Sequence, residues 1–255
     1  MTQPSIYCSG CSVIDDSGIR TIGTSRAWED DQDGPAAIKR AQVLGQPYMA
    51  FGKLNLPDKL AFSAASLVLN ECSVRDPENT GIFLGIPFGS CSTDLLYRQS
   101  VEQGSPSPAL FSATLPSSPI ADIAIYYKFK GPDAVFPGGD SPLLSAIERA
   151  QHLLQRGKLT GALVIFVEET AGNPPGNGYR PPFASAVYFE AGGTVPEAFP
   201  EFSYHLTKKT EPSECTFSDD RSLATVLLDL LHRKKSSRIA VPVCGFKGYI
   251  SLHYT

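Results

Sequence analysis

Residues 131–167 constrain the fold more than any other part of the chain. Gly131-Pro132 breaks the preceding segment, residues 134–136 read as a short strand, and Pro137-Gly138-Gly139 as a turn. Ser141-Pro142 then opens a helix over 143–156. A serine oxygen caps the first amides, and proline's fixed φ suits the first helical position, where its missing N–H costs nothing. Gly157 closes that helix, and the apolar run over 161–167 has the length of a buried strand. Strand, helix and strand at this spacing predict right-handed β-α-β units on a mainly parallel sheet.

The rest of the chain extends this pattern. Residues 6–14 predict a strand that leads into the turn Asp15-Asp16-Ser17-Gly18. Leu60, Ala61, Ala64, Ala65 and Val68 recur at helical spacing over 59–69, with Asp58 as the expected N-cap. Gly81-Ile82-Phe83-Leu84-Gly85 predicts a buried strand and 93–102 a helix. The Ser/Pro-rich segment 104–119 predicts an extended loop, followed by a helix over 120–129. Beyond a Gly/Pro/Asn-rich seam at 172–182 come strands at 184–190 and 202–206 and a helix at 223–233. Two closing strands, 239–243 and 249–254, surround Cys244-Gly245-Phe246-Lys247-Gly248. This second part carries fewer elements than the first, and no sequence repeat is visible.

Composition narrows the function classes. At 255 residues, 42% apolar and 19% charged, the chain suits one large domain or two fused halves. Lys+Arg 22 against Asp+Glu 26 leaves a formal charge of −4, which argues against nucleic acid and against a polybasic membrane patch. The one basic cluster, Arg233-Lys234-Lys235, ends a predicted helix, where cations suit the dipole. The N-terminus lacks the basic start and apolar core of a signal peptide. The charge-free stretch 103–121 is too rich in Ser and Pro to cross a membrane. Six cysteines without a secretion signal favour reduced thiols and a cytoplasmic location. Cys8-Ser9-Gly10-Cys11 stands alone, without a second ligand pair, and falls in the predicted first strand. No metal is expected there.

One pattern points to serine hydrolysis. Gly139-Asp140-Ser141 resembles the Gly-Asp-Ser block of one lipase/esterase class, the GDSL-like hydrolases, and Asp229-Leu-Leu-His232 has the Asp-x-x-His form used there. In that class the serine block follows the first strand, whereas here it lies in mid-chain. Asp229 and His232 fall within an amphipathic helix, where adjacent turns explain both as solvent-facing. Pro142 directly after the serine suits a cap better than a nucleophile.

Residues 54–169 resemble the N-terminal half of the β-ketoacyl synthases, condensing enzymes with the thiolase fold. Ser107-Pro108-Ala109-Leu110-Phe111-Ser112 is similar to the family's Ser-Pro loop, and residues 121–132 to the helix that runs into its Gly-Pro. Residues 134–147 match the strand and helix start where the family carries its nucleophile, and residues 6–13 resemble its first strand. The resemblance implies a layered α/β, thiolase-like (ketosynthase-like) fold. Its N-terminal half, 1–170, is complete; its C-terminal half, 171–255, is abbreviated; together they form one compact unit.

The chemistry departs from the family. Claisen condensation needs a thiolate at a helix N-terminus and two histidines or close equivalents. Counted from Gly131-Pro132, the nucleophile's position falls on Asp140, and residues 138–142 contain no cysteine. His152, His205, His232 and His253 lie in none of the family's histidine motifs. Val243-Cys244-Gly245-Phe246-Lys247-Gly248-Tyr249 resembles a decayed form of the family's Gly-Phe-Gly-Gly turn.

The resemblance therefore implies a subunit without catalytic residues or cofactor, of the chain-length-factor kind found in type II polyketide and aryl polyene synthesis. Its expected partner is a catalytic ketosynthase subunit, in a heterodimer or a higher assembly, with an acyl carrier protein reached through the complex. Ala134, Val135 and Phe136 are the expected dimer-strand residues, and Phe88, Leu110 and Phe111 the expected tunnel-facing ones. Asp140 is expected to fill a vacated pocket. The alternative is a divergent stand-alone condensing enzyme or a GDSL-like hydrolase.

Overall fold

A computed structural model describes residues 4–29, 34–139, 141–169, 180–192, 199–207, 215–216, 219–243 and 246–254. The chain begins with strands β1 (Ile6–Asp15), β2 (Gly18–Thr21) and β3 (Ser25–Arg26), then helices α1 (Arg40–Val43) and α2 (Leu56–Glu71). Strand β4 (Thr80–Gly85) precedes α3 (Cys91–Glu102), α4 (Pro108–Ser112) and α5 (Ser118–Tyr127). Then follow β5 (Asp133–Phe136), α6 (Pro142–Gln155), β6 (Gly161–Glu168) and β7 (Phe183–Ala191). The chain closes with β8 (Glu201–Thr207), β9 (Cys215–Thr216), α7 (Asp220–His232), β10 (Ser237–Val243) and β11 (Phe246–His253).

All the described strands form one sheet, in the order β5-β4-β6-β7-β1-β8-β11-β10-β9, with β2 attached to β1 and β3 to β2. It has an internal symmetry that the sequence hides. On one side β1 and β6 both run antiparallel to β7, and β4 and β5 run parallel to β6. On the other, β8 and β10 both run antiparallel to β11, and β9 runs parallel to β10. The series β1, β7, β6, β4 is thus matched by β8, β11, β10, β9. Helix α6 lies between β5 and β6 as α7 lies between β9 and β10. The halves meet where Tyr7 pairs antiparallel with Glu201 and the Cys8 amide donates to the Pro200 carbonyl at 3.1 Å.

The second half is the shorter one by its connections. Residues 208–214 are all that separate β8 from β9, against 16–79 between β1 and β4. No strand among the described residues matches β5 in the second half. Strand β7 lies C-terminal to the expected division at 170/171, yet it is inserted between β6 and β1.

The expectation of a mainly parallel sheet holds only for β5, β4 and β6 in the first half; most neighbouring pairs in the whole sheet are antiparallel. The reason lies in the connections. A parallel pair needs a crossover of a dozen or more residues, usually a helix. Residues 244–245 alone join β10 to β11, which forces a hairpin.

Strand β6 is buried along its whole length and feeds both faces. Ala162, Val164 and Phe166 join one apolar cluster with α6 and α7, while Leu163, Ile165 and Val167 join another with α2 and α5. That period of two places the sheet between two helical layers. The last residue of β4, Gly85, has room only for a glycine because α6 starts against it: a Cβ there would lie 2.8 Å from the Pro142 carbonyl carbon and 2.9 Å from the Leu143 nitrogen.

Two local expectations are corrected. Helix α2 starts at Leu56 with Asn55 as its cap, whose side-chain oxygen accepts the Asp58 amide at 2.9 Å. Asp58 is therefore a first-turn residue facing inward. Pro57 explains the earlier start, since proline fits the first turn. The segment 104–119, expected to be extended, contains α4, with Ser107 Oγ accepting the Leu110 amide at 3.3 Å. Ser107-Pro108 carries the same start signal as Ser141-Pro142, where the expectation holds: Ser141 Oγ accepts the Leu144 amide at 3.4 Å.

Candidate functional site

The start of α6 lies where the expected nucleophile would act. Asp140 itself lies outside the described residues. Just after it, the Ser141 hydroxyl donates to Asp220 Oδ1, and the Leu143 amide donates to Asp220 Oδ2 at 3.0 Å. Asp220 is the buried first residue of α7. Burial pushes its carboxyl up, and the Ser141 and Leu143 bonds offset part of that. Asp219 caps α7 itself, accepting from the Ser222 amide at 2.9 Å and hydroxyl at 2.7 Å. Burial opposes ionisation of Asp219, but Ser222 and Arg180 together hold it below the usual carboxylate range. Arg221 Nε donates to Glu168 at 2.8 Å. The matched ends of the two helices are therefore filled by the chain's own carboxylates.

The structure does not bring the hydrolase residues together. Asp229 and His232 are exposed. His232 sits in the last turn of α7, about 18 Å along the helix from Asp220, with Nδ1 2.9 Å from the Ile22 carbonyl. His152 and His253 are exposed at separate places, and the His205 ring stacks on Tyr249 at 5.7 Å. Cys8 and Cys11 are buried in β1, where burial pushes both thiols up.

Strand β5 forms one edge of the sheet. It pairs with β4 from Ile82–Asp133 to Gly85–Phe136, and no described strand pairs with its other side. Ala134 and Phe136 pack toward the α6/α7 layer and Val135 toward the α2/α5 layer, all three half-buried.

Helix α4 presents Leu110 and Phe111 together. Phe111 is 61% exposed and its ring lies 5.4 Å from that of Tyr97. Leu110 lines a groove of about 590 Å³ with Leu54, Leu96, Leu115, Asp58 and Asp122. Phe88 is 49% exposed in the turn before α3. Two residues on, the Ser90 hydroxyl donates to the Leu115 carbonyl at 3.5 Å, which seats that turn against the connection from α4 to α5.

No protein-family model matches the chain, and no curated protein matches its sequence. Solved structures do match. A ketosynthase (ApeO) in complex with its chain length factor (ApeC) from Xenorhabdus doucetiae superposes with TM-score 0.64 at 17% identity, covering 97% of this chain and 99% of the other. The ishigamide ketosynthase/chain length factor gives 0.69 at 14% identity, covering 98% and 99%. A type II polyketide acyl-carrier protein in complex with its ketosynthase bound to the hexaketide gives 0.71 at 12% identity, covering both chains fully. The chain has a ketosynthase-like, thiolase-type fold.

Asp58, Asp122, Leu96 and Leu115 line the groove beside Leu110 and are not among the residues expected from the sequence. The signal for Asp58 is present: an acid three residues before Ala61 and seven before Ala65, on the same helix face. Leu96 and Leu115 carry no such signal, because single exposed leucines are common. No described helix is long and apolar enough to cross a membrane.

Proposed function

We propose that this chain is a non-catalytic, chain-length-factor-like subunit that pairs with an active β-ketoacyl-ACP synthase and helps shape its acyl tunnel, in polyketide, aryl polyene or fatty-acid-like biosynthesis. One observation carries the reading. At the start of α6, the chain has no cysteine in 138–142, and Ser141 and Asp220 already take the Leu144 and Leu143 amides. A condensing thiolate needs that helix end free to lower its pKa. A stand-alone condensing enzyme lacks its nucleophile here, and a hydrolase lacks a histidine beside Ser141.

The edge of β5 that no described strand covers supports pairing with a ketosynthase through Ala134, Val135 and Phe136, because such an edge offers a row of backbone groups to another strand. The exposed Phe88 and Phe111, with Leu110, suit a tunnel shared with that partner. The acyl carrier protein is then met through the complex. Both parts, 1–170 and 171–255, act as one unit in the cytoplasm, and the role calls for no cofactor, metal, nucleic acid or membrane.

The test is co-expression with candidate ketosynthases, followed by pull-down and size-exclusion chromatography with mass determination. A stable one-to-one complex, or a multiple of it, whose acyl transfer requires the partner's cysteine is the expected result. A monomer with its own condensing or hydrolytic activity would overturn the reading and return Asp140 or Ser141 to candidacy.

A further inference from the structure

The groove beside α4 has an acidic floor that a tunnel-shaping role leaves unused. Asp58 is only 4% exposed, yet it lines the groove. The Ser118 hydroxyl donates to its Oδ1 at 2.7 Å. Its Oδ2 accepts no bond from the described residues. Asp122, on α5, lines the same groove and adds a second carboxylate. Lys53 is the one cation among the described lining residues. The walls are the apolar side chains of Leu54, Leu96, Leu110 and Leu115.

We propose that this groove receives a lysine or arginine side chain of the partner ketosynthase subunit, its charged head on Asp58 and Asp122 and its methylene stem along the leucines. The inference rests on the partner reading above and names the chemistry of one contact in it. Charge complementarity selects the occupant. Holding a charged carboxylate at 4% exposure in an apolar groove is costly, and a cation with several donors relieves it. Long basic side chains are the ones that present an apolar stem and a charged head together. The groove also adjoins the proposed interface, since Leu110 forms its wall and Phe111 follows on the same short helix. A volume of about 590 Å³ exceeds one side chain, leaving room for the residues that flank the inserted one.

The charged groups facing Asp58 come from three elements: Asp122 on α5, Glu169 beyond β6, and Lys53 at the groove's lip. The Tyr48 hydroxyl bonds Asp122, and the Ser92 amide and hydroxyl hold Glu169. Burial favours the neutral form of Asp58, and a bound cation favours the ionised one. A proton therefore leaves as the partner's cation enters, and association tightens with rising pH.

The experiment measures Kd for the complex of this chain with its ketosynthase partner between pH 6 and 8, for wild type, Asp58→Asn and Asp122→Asn. Thermal melts of each isolated variant check the fold. The expected result is at least tenfold weaker association for Asp58→Asn, a smaller loss for Asp122→Asn, and loss of the pH dependence in Asp58→Asn. Absence of any wild-type complex would remove the partner reading and this contact with it. A complex whose Kd and pH profile ignore both substitutions would overturn this inference alone. Tighter binding by Asp58→Asn would assign the groove to a neutral segment, and self-association that is lost in Asp58→Asn would assign it to a second copy of this chain; either overturns the proposal.

Discussion

The Asp220 carboxylate accepts the Leu143 amide at 3.0 Å and the Ser141 hydroxyl, tying the first turn of α7 to the first turn of α6 across 77 residues of chain. Removing it orphans a buried amide at a helix start. Asp220→Ala is expected to destabilise the chain by about 1–3 kcal/mol, the cost of leaving a buried donor unmet. Asp220→Asn, which keeps one acceptor, should cost less. Urea unfolding of the isolated chain checks both, and an unchanged midpoint for Asp220→Ala would show that this bond contributes nothing to stability.

Phe136→Asp should abolish pairing with the ketosynthase, with thermal melts of the isolated variant checking its fold. Phe136 is half-buried at the open edge of the sheet, so a charge there tolerates water but not an apolar interface. Analytical size exclusion of the co-expressed pair gives the answer. A complex that survives the substitution would move the interface away from β5.

Asp140→Ala should leave turnover of the assembled complex largely intact, because the proposed role gives this side chain no bond to make or break. Complete loss of condensation, with the complex still assembled, would make Asp140 catalytic.

Substitutions at Leu110 and Phe111 should change product length before they change rate. A tunnel wall acts by exclusion, with each further methylene gaining about 0.8 kcal/mol where room exists and overpacking costing about 1–3 kcal/mol. Leu110→Trp is expected to shorten the product and Phe111→Ala to lengthen it, read by mass spectrometry of the released chains. An unchanged product distribution for both would place the tunnel elsewhere.

The first half was legible because its signals are local. Ser141-Pro142 marks the start of α6, the apolar run at 161–167 marks β6, and both fall where expected. The same Ser-Pro signal at 107–108 is obscured by the serines and prolines around it, which suggest extended chain. The mixed direction of the sheet depends on connection length after β6, which periodicity does not encode. The internal symmetry of the sheet is invisible for a related reason: matched strands need only the same direction and neighbours, not the same residues. The acidic floor of the groove joins α2 to α5 through the Ser118–Asp58 bond, 60 residues apart, so only the fold brings it together.

Asp58 makes the stability of the isolated chain depend on pH in a direction opposite to most carboxylates. Burial raises its carboxyl from 3.8 to about 7, with the Ser118 bond offsetting part of the rise and Asp122 and Glu169 adding to it. Between those two values the folded chain holds a proton that the unfolded chain releases. Stability therefore falls as pH rises from about 4 to about 7 and stays at its lower level above that. Asp58→Asn removes the charged form and should stabilise the isolated chain at pH 8, on the order of 2–4 kcal/mol. The gain should vanish toward pH 4. Urea unfolding of wild type and variant at several pH values measures the difference directly, and parallel curves would mean that Asp58 is not destabilised by its surroundings. The same substitution is expected to weaken the complex, so one carboxylate would weaken the lone subunit and strengthen the pair. Strain of that kind persists at functional sites because the bound state relieves it.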